Sequence, residues 1–431
     1  MRVTILTYGS RGDFQPFLAL AVGLQQAGHI PLLAGPARFA ELAAQFQVPF
    51  ASLAGDPAEI SVRFNDAGSN PFKMVRSIRD YVYAIAPLVT RDARAALVGA
   101  DFVIHSFLFT TGGHSFAREM GIPDLSVQTF PMFAPTRDFP NVALSWLPVG
   151  SLSYFSHWLA TQIFWYGGNS GQRKFTRNQP DDFPSKLFWP FTETKDRPLT
   201  PLVIACSPTV LPCPAEWDAE KIQVPGYFFQ NDTGYQPPVR LKHFLDAGNP
   251  PVCISFGSML NRDAARVQKV MVEGLCEAGL RGILLTGWED RVVMDEFPES
   301  ILSMKDAPHE WLLRRCQAVV HHGGAGTTAA GLRAGIPNIV VPFAGDQPFW
   351  GRRVQALGAG PRPIPIKQLT KPALVAALRQ AENAEIIKKA AQVGEHIRAE
   401  NGVEAALRIV EQTADRFNSF QRSKHRSEEF L

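Results

Sequence analysis

A glycine-rich turn near residue 324 carries the residue types best suited to binding a phosphate. An apolar run at residues 318–320 predicts a buried strand that ends in two histidines, of which His322 could donate a hydrogen bond to a ligand. Gly324 and Gly326 then allow close approach to the backbone, and Thr327 opens a helix whose free N–H groups attract an anion. The turn lacks the Gly-Lys-Ser/Thr ending of a P-loop, so it does not indicate a nucleoside triphosphatase. Tight packing is the alternative explanation of these glycines.

An acid and an amide follow the next predicted strand, at residues 338–341. Asp346 accepts hydrogen bonds from hydroxyl groups, and Gln347 both donates and accepts, so this pair suits the hydroxyls of a sugar. Such a pair in a loop is often only part of a turn. Because it comes one strand after a phosphate-binding type of turn, it favours a sugar-nucleotide site.

The elements that must position these residues alternate between strand and helix signals. Short β-rich apolar runs occur at residues 3–7, 30–34, 102–104, 125–127, 252–256, 282–286, 318–320 and 338–341. Helical spacing between them indicates an α/β fold with parallel, doubly wound sheets. A polar, Pro- and Gly-rich segment at 230–238 separates two such halves. We therefore predict two Rossmann-like domains that face each other across a cleft, since ligands bind outside the carboxyl ends of such strands.

Five sequence motifs resemble those of family 1 glycosyltransferases. They are Gly-Ser-Arg-Gly-Asp-Phe-Gln-Pro-Phe at 9–17, Phe-Gly-Ser-Met at 256–259, Pro-His-Glu-Trp-Leu at 308–312, the turn at 321–335, and Gly-Asp-Gln-Pro-Phe-Trp-Gly at 345–351. The sterol 3-beta-glucosyltransferase-like branch is the most similar group, and the antibiotic aglycone glycosyltransferases are similar too. The resemblance covers most of the chain and is poor over residues 135–200, on the acceptor side.

This resemblance implies a GT-B fold and transfer of a sugar from a nucleoside diphosphate. His322 matches the histidine that contacts the donor phosphate, and Asp346 with Gln347 matches the pair that holds the donor sugar. The matched phosphate cradle comprises Ser258, Gly324, Gly326 and Thr327. Plant members stack a tryptophan on uracil at the position of Asp306, so the choice between uridine and thymidine stays open.

Asp13, in the loop after the first predicted strand, matches the acidic base of the sterol-like and antibiotic branches. Transfer to an alcohol needs a base that removes the hydroxyl proton while the oxygen attacks C1 of the sugar. The alternative role of Asp13 is to cap the helix that follows. Arg11 either shapes this loop, touches the acceptor or is a surface charge. No Asp-x-Asp occurs in the chain, so a metal-held diphosphate is not expected.

The acceptor side is predicted from composition rather than from motifs. Phe occurs 30 times, and residues 139–172 contain no Asp, Glu, Lys or Arg. A buried helix pair, a wall against a lipophilic substrate and a membrane-surface contact all explain that segment. The side chains considered for the acceptor site are Arg11, Phe14, His105, Phe155, Trp158 and Trp165.

Whole-chain properties limit the partners and the compartment. The 431 residues carry a formal charge of +3, which gives no reason to expect nucleic acid. Five cysteines lack metal-ligand spacing and are expected to be reduced thiols of a cytoplasmic protein, with peripheral membrane contact left open. The predicted domains are an acceptor-binding domain at 1–235, on which the last helix could pack back, a donor-binding domain at 236–415, and a tail at 416–431.

Together these features predict an inverting, metal-independent glycosyltransferase. It would move a hexose, glucose in the first instance, from UDP-glucose to a hydroxyl of a sterol, terpenoid, carotenoid or lipid. No cofactor is expected besides the nucleotide-sugar co-substrate. Two alternatives stay open: a sugar-nucleotide epimerase of the same architecture, and a non-catalytic lipid- or sugar-binding protein. The presence of both Asp13 and the Asp346–Gln347 pair argues against the second alternative.

Overall fold

A computed structural model of the chain describes most of its residues. The described residues are 1–57, 59, 71–145, 147, 150–175, 189, 191–230, 234–256, 264–287 and 297–429. The chain divides into two compact units, the first made of 1–208, 212–230 and 401–431 and the second of 209–211 and 231–400. The division near residue 230 falls inside the predicted linker. Residues 401–415, predicted in the second domain, belong instead to the first unit.

The first unit is built on a seven-stranded parallel sheet in the order β3-β2-β1-β4-β5-β6-β7. Its strands are β1 (Arg2–Leu6), β2 (Ile30–Pro36), β3 (Phe50–Leu53), β4 (Phe102–His105), β5 (Asp124–Gln128), β6 (Leu202–Ile204) and β7 (Ile222–Gln223). Valine, isoleucine and leucine fill the central strands because helices cover both faces of the sheet. Pro31 is tolerated in β2 because the pairing of β2 with β3 begins only at Leu33. Pro31 therefore lies near the start of the strand, as predicted.

Helices cover both faces of this sheet. They are α1 (Arg11–Gln26), α2 (Ala40–Gln45), α3 (Pro71–Ala96), α4 (Thr110–Met120), α5 (Ser151–Phe175) and, from the end of the chain, α13 (Gly402–Glu429). Helices α1 and α13 share one core with Ile5, Ile104 and Val127, whereas α3 and α4 pack on the opposite face. Gly23 of α1 has no room for a Cβ beside Val403 of α13. The segment 416–431, predicted as a tail, continues this last helix as far as Glu429.

The second unit repeats this architecture with a five-stranded parallel sheet in the order β10-β9-β8-β11-β12. Its strands are β8 (Val252–Ser255), β9 (Gly282–Leu285), β10 (Ile301–Met304), β11 (Ala318–His321) and β12 (Asn338–Val340). Its helices are α6 (Val239–Asp246), α7 (Ala264–Ala278), α8 (His309–Leu312), α9 (Ala325–Ala334), α10 (Gln347–Ala356), α11 (Lys371–Ala381) and α12 (Ala384–Ala399). Helices α7 and α11 bury one face of the sheet, and α6, α8 and α9 bury the other. The predicted α/β class with two doubly wound parallel sheets is confirmed.

Each sheet reverses its strand order at one pair of neighbours. The pair is β1 and β4 in the first unit and β8 and β11 in the second. Loops that leave these two strands run in opposite directions, so they part and leave a crevice at the carboxyl edge. Asp13 comes after β1 and Gly324 after β11, which places both at these crevices.

In the described part of the chain, no helix has the length and apolar character needed to cross a bilayer.

Candidate active site

The turn between β11 and α9 is held by a buried histidine. The Nε2 atom of His321 lies 3.1 Å from Oδ1 of Asn338, and its Nδ1 accepts a hydrogen bond of 3.1 Å from the N–H of Gly323. Burial lowers the pKa of His321 to about 3, so this ring stays neutral. Gly323 has a φ of +90° and lies against Val340, so the turn requires glycine here. His321 is thus a structural residue that shapes the turn.

His322 and Thr328 present buried polar atoms beside this turn. Burial lowers the pKa of His322 to about 4, while a hydrogen bond to the Ser255 backbone opposes that shift, so the ring is neutral at physiological pH. Among the described residues, neither Nδ1 of His322 nor Oγ1 of Thr328 has a hydrogen-bond partner. The Thr328 hydroxyl can donate, whereas Nδ1 of the neutral His322 ring accepts because the ring N–H is used on Ser255, and the first N–H groups of α9 have no intrahelical acceptor. Such a collection of donors suits an anion.

The residues matched to a phosphate cradle are only partly within the described structure. Gly324 is the N-cap of α9, and Gly326 and Thr327 lie in its first turn. Ser258 falls outside the described residues. Sequence reasoning missed a hydrogen-bonded pair at the end of β8, where Oγ of Ser255 lies 2.9 Å from Nε2 of His309. The Pro-His motif at 308–309 was the signal that could have pointed to it.

Asp346 and Gln347 shape their own loop. Trp350 donates its indole N–H to Oδ2 of Asp346 over 2.8 Å. The side-chain oxygen of Gln347 accepts the backbone N–H groups of Phe343 and Ala344 at 2.7 and 3.2 Å. The Gln347 amide nitrogen keeps its donor capacity. Contact of this pair with a donor sugar stays a prediction.

Asp13 forms a capping box with Ser10 at the start of α1. The backbone N–H and the hydroxyl of Ser10 both donate to Oδ2 of Asp13, at 2.8 and 2.9 Å. Among the described residues, Oδ1 accepts no hydrogen bond. Gly9, with a φ of +140°, has no room for a Cβ beside this carboxylate. The capping role considered from the sequence is thus real, and it occupies one carboxylate oxygen only.

Burial changes the proton affinity of Asp13. It raises the pKa of the carboxyl group above its usual range, and the two hydrogen bonds from Ser10 offset part of that rise. Asp13 lies in the wall of a cavity of about 220 Å³. The other lining residues are Tyr8, Phe17, Ser106, Phe107, Leu108, Val127, Thr129 and Phe130. A carboxylate with one open oxygen and a raised pKa in an apolar pocket can act as a general base.

Most of the side chains considered for the acceptor lie elsewhere. Phe14 is buried in the core, stacked on Phe39 with ring centroids 4.6 Å apart, because residue 14 turns from Asp13 toward the sheet. His105 is fully buried, with Nε2 2.9 Å from Oδ2 of Asp124. Neither Phe14 nor His105 lines this pocket, and their contact with an acceptor stays a prediction. Arg11 is the first residue of α1 and is not among the lining residues.

The aromatic residues of α5 do not line the pocket either. Phe155 is 51% exposed, and Trp158 is partly buried with its ring 5.5 Å from that of Phe155. Trp165 belongs to α5, and its side chain lies outside the described part of the structure. The residues that do line the pocket lie at or after the carboxyl ends of β1, β4 and β5. The rule that ligands bind at the carboxyl ends of strands could have found them from the predicted strands alone.

The network around Asp124 explains why His105 faces inward. Asp124 lies at the start of β5 and binds His114 as well as His105, each at 2.9 Å, together with Arg197 and Thr200. Burial raises its pKa, but the neighbouring positive charge and hydrogen bonds outweigh burial and hold the pKa well below its usual range. The arrangement ties β4, β5 and α4 to the segment before β6.

Two domain families match most of the chain. Residues 3–131 match the glycosyltransferase family 28 N-terminal domain, and residues 283–411 match the erythromycin biosynthesis protein CIII-like C-terminal domain. The chain is 33% identical to a sterol 3-beta-glucosyltransferase of Arabidopsis thaliana, over 94% of this chain and 67% of that protein. It is 34% identical to a sterol 3-beta-glucosyltransferase of Candida albicans, over 95% of this chain. The chain spans only 27% of the length of that fungal relative.

Solved structures share the fold. The calicheamicin glycosyltransferase CalG4 superposes with a TM-score of 0.69 at 17% identity, over 96% of this chain and 98% of that one. The Streptomyces glycosyltransferase SsfS6, complexed with thymidine diphosphate, superposes with a TM-score of 0.64 at 18% identity, over 96% and 99%. The fold is therefore GT-B, and the chain belongs to the family 1 glycosyltransferases, in their sterol 3-beta-glucosyltransferase-like branch.

Proposed function

We propose that the protein transfers glucose from a nucleoside-diphosphate sugar, UDP-glucose in the first instance, to the hydroxyl of a sterol, with inversion at C1. The observation that carries this proposal is the open Oδ1 of Asp13 in an apolar pocket. The names of the relatives from Arabidopsis and Candida support glucose as the sugar and a sterol as the acceptor.

The base step follows from the state of the carboxylate. Ser10 holds Oδ2, so the open Oδ1 accepts the proton of the acceptor hydroxyl. Burial raises the pKa of Asp13, which makes it a stronger base than an exposed carboxylate. The acceptor oxygen then forms a bond to C1 while the bond from C1 to the phosphate oxygen breaks. One displacement of this kind inverts the configuration at C1.

The donor step rests on the second unit. The N–H groups at the start of α9 and the hydroxyl of Thr328 suit the charge that develops on the leaving diphosphate, and contact of His322 with the donor phosphate stays a prediction. Gln347 keeps its amide N–H₂ for a sugar hydroxyl. The SsfS6 complex with thymidine diphosphate supports a nucleoside diphosphate as the leaving group, and the choice of base is left to measurement.

We also propose that the protein works at the surface of a membrane, on its cytoplasmic side. Helix α5 shows the reverse of the usual distribution of polar and apolar side chains. Its buried side chains include the polar residues Ser153, Ser156, His157 and Thr161. Its exposed side chains include Leu152, Tyr154, Phe155 and Ile163. A helix that exposes apolar residues and buries polar ones needs an apolar environment outside the protein. Free thiols at Cys253 and Cys316 are consistent with the cytoplasm.

The residues around α5 favour a lipid bilayer as the partner that covers its exposed apolar side chains. Phe164 of α5 lies 4.8 Å, between ring centroids, from Phe107, which lines the pocket of Asp13. The next residue, Leu108, also lines that pocket and is 50% exposed. The apolar surface of α5 therefore continues to the acceptor pocket, and a sterol dissolved in a bilayer could enter without crossing water. Tyr154 and Trp158 are residue types that favour the membrane interface.

Donor-dependent glycosylation tests the proposed function. The purified chain is incubated with UDP-glucose or thymidine diphosphate glucose and with cholesterol, ergosterol or a non-sterol lipid alcohol, and products are identified by mass spectrometry. The proposal predicts a sterol glucoside with β configuration from α-linked donor. Interconversion of the donor sugar without any acceptor would indicate an epimerase instead. Sterol binding without any glycoside would indicate a non-catalytic binding protein.

A further inference from the structure

We propose that Ser106 is a second group that binds the acceptor hydroxyl, so that Asp13 and Ser106 hold the same oxygen from two directions. This inference rests on the proposed function. Ser106 is a positioning residue here, since it exchanges no proton with the substrate. The acceptor it would serve is an elongated, apolar alcohol whose hydroxyl lies at one narrow end.

The backbone of Ser106 is firmly held while its side chain is not. Its N–H donates to the carbonyl of Leu6 at 2.9 Å, which links the ends of β1 and β4. Its carbonyl accepts from the N–H of Phe109 at 2.9 Å and from Oγ1 of Thr110 at 3.3 Å. Residue 106 is only 4% exposed, yet Oγ has no partner among the described residues. A buried hydroxyl without a partner is unfavourable unless a ligand supplies one.

Ser106 shares its pocket with the proposed base. Both Asp13 and Ser106 line the cavity of about 220 Å³ at the crevice between β1 and β4. The hydroxyl of Tyr8, which also lines the pocket, already donates a hydrogen bond to the carbonyl of Ala54 at 3.2 Å. Of the described residues that line the pocket, Ser106 is the one whose buried side-chain atom is unsatisfied.

The chemistry of a hydroxyl acceptor needs two such partners. The acceptor O–H donates to Oδ1 of Asp13, and one of its two lone pairs can accept from the O–H of Ser106. The remaining lone pair is then free to attack C1 of the donor sugar, as displacement requires. During the reaction the proton passes to Asp13, and the Ser106 hydroxyl keeps its own proton throughout.

The size of the pocket limits the kind of acceptor. A volume of about 220 Å³ is below the range of roughly 300–1,000 Å³ found for sites that enclose a whole drug-sized ligand. Its walls are otherwise mostly apolar, with Phe17, Phe107 and Phe130 among them. The pocket therefore suits the hydroxylated end of a long apolar molecule, with the remainder outside near the exposed Leu108.

A cycle that combines a protein change with a ligand change tests this role. Dissociation constants are measured for wild type and Ser106→Ala with cholesterol and with cholest-5-ene, which lacks the hydroxyl, both delivered in cyclodextrin. We expect Ser106→Ala to weaken cholesterol binding about three- to ten-fold and to leave cholest-5-ene binding unchanged. Ser106→Thr, which keeps a hydroxyl, should restore most of the loss, and KM for cholesterol should rise with the same pattern.

Ser126→Ala is the matched control. Ser126 lies on the neighbouring strand, is fully buried, and its Oγ also lacks a partner among the described residues, but it does not line the pocket. Its replacement should change neither ligand's affinity. Equal weakening of both ligands by Ser106→Ala, or normal cholesterol binding and turnover, would overturn the role of Ser106 while leaving sterol glucosylation intact. A wild-type protein that neither binds nor glucosylates any sterol would overturn the proposed function, and this inference with it.

Discussion

Ser10 binds one oxygen of the Asp13 carboxylate twice, through its backbone N–H at 2.8 Å and its hydroxyl at 2.9 Å. Both bonds end on Oδ2, so the capping of α1 and the proposed proton transfer use different oxygens of the same side chain. The structural role and the catalytic role of Asp13 are therefore compatible. The same contact also tunes the base, because hydrogen bonds to a carboxylate favour its charged form.

The first prediction is that Ser10→Ala shifts the pH dependence of the reaction. Burial raises the pKa of Asp13 and the Ser10 hydroxyl partly lowers it, so loss of that hydroxyl should raise the pKa further. A base must be ionised to act, and activity is lost as pH falls through its pKa. The acidic limb of kcat/KM should therefore move to higher pH in Ser10→Ala and stay in place in Ser10→Thr. An unmoved limb, or one moved to lower pH, would contradict the assignment.

The second prediction concerns the buried hydroxyl of Thr328. Thr328→Val removes an unsatisfied polar atom, so the free energy of unfolding should stay unchanged or rise by up to about 1 kcal/mol. If the Thr328 hydroxyl donates a hydrogen bond to the diphosphate, calorimetry should show that Thr328→Val binds UDP-glucose several-fold more weakly than wild type. Thr413→Val is the control, because Thr413 donates to the carbonyl of Ile409 at 2.7 Å, and its loss should lower stability only. Unchanged donor affinity in Thr328→Val would remove Thr328 from the donor site.

The third prediction concerns the stability of the first unit. Asp124→Asn removes the counter-ion of the buried Arg197, which should lower the free energy of unfolding by about 3–5 kcal/mol. Asp101→Asn, which breaks an exposed pair with Arg2, should cost less than about 1 kcal/mol. Denaturant titration measures both. A loss at Asp124 no larger than that at Asp101 would show that the buried network contributes little.

The pH dependence of that stability has a defined sign. The pKa of Asp124 is held well below its usual value in the folded protein. Its contribution is therefore fully present above the unfolded pKa of about 3.9 and is lost as pH falls through the lower folded value. The difference in unfolding free energy between wild type and Asp124→Asn should shrink only at pH below about 4. A difference that shrinks near pH 6 would point to titration of His114 instead.

The fourth prediction tests the membrane surface on α5. Phe155→Ser combined with Ile163→Ser should weaken binding to vesicles of phosphatidylcholine and ergosterol about ten-fold in sedimentation, because both side chains would be buried in the interface. Ile30→Ser combined with Val98→Ser replaces apolar residues that are at least as exposed elsewhere on the first unit and should change nothing. A wild-type dimer that dissociates in the α5 variant would show instead that a second copy of the chain covers this surface.

Much of the fold could be predicted because buried strands and glycine turns leave local signals. Runs such as Val252–Ser255 are buried on both faces, and glycine is favoured at positive φ, as at Gly323. The position of Pro31 at the start of β2 followed from its missing N–H. The return of the last helix to the first domain was left open from the sequence, because contacts such as that between Gly23 and Val403 join residues far apart in the chain and leave no local pattern.

The site was less accessible to sequence reasoning than the fold. Asp13 could be found because it follows a strand and matches a motif, but the direction of each neighbouring side chain depends on helix rotation, and Phe14 turns into the core. The composition of residues 139–172 suggested an apolar contact without saying which face of α5 carries it. In most helices apolar residues face inward, so the exposed Phe155 and Ile163 were not predictable from periodicity.

The central claim is that Asp13 is the base for sugar transfer to a sterol. Its most direct test is the rate of sterol glucoside formation by Asp13→Asn at saturating UDP-glucose, with donor affinity measured by calorimetry on the same preparation. Asparagine keeps an oxygen that can accept from Ser10 but cannot take the acceptor proton at neutral pH. We predict a fall in turnover of at least about 100-fold with unchanged donor affinity. Near-normal turnover with intact donor binding would contradict the account.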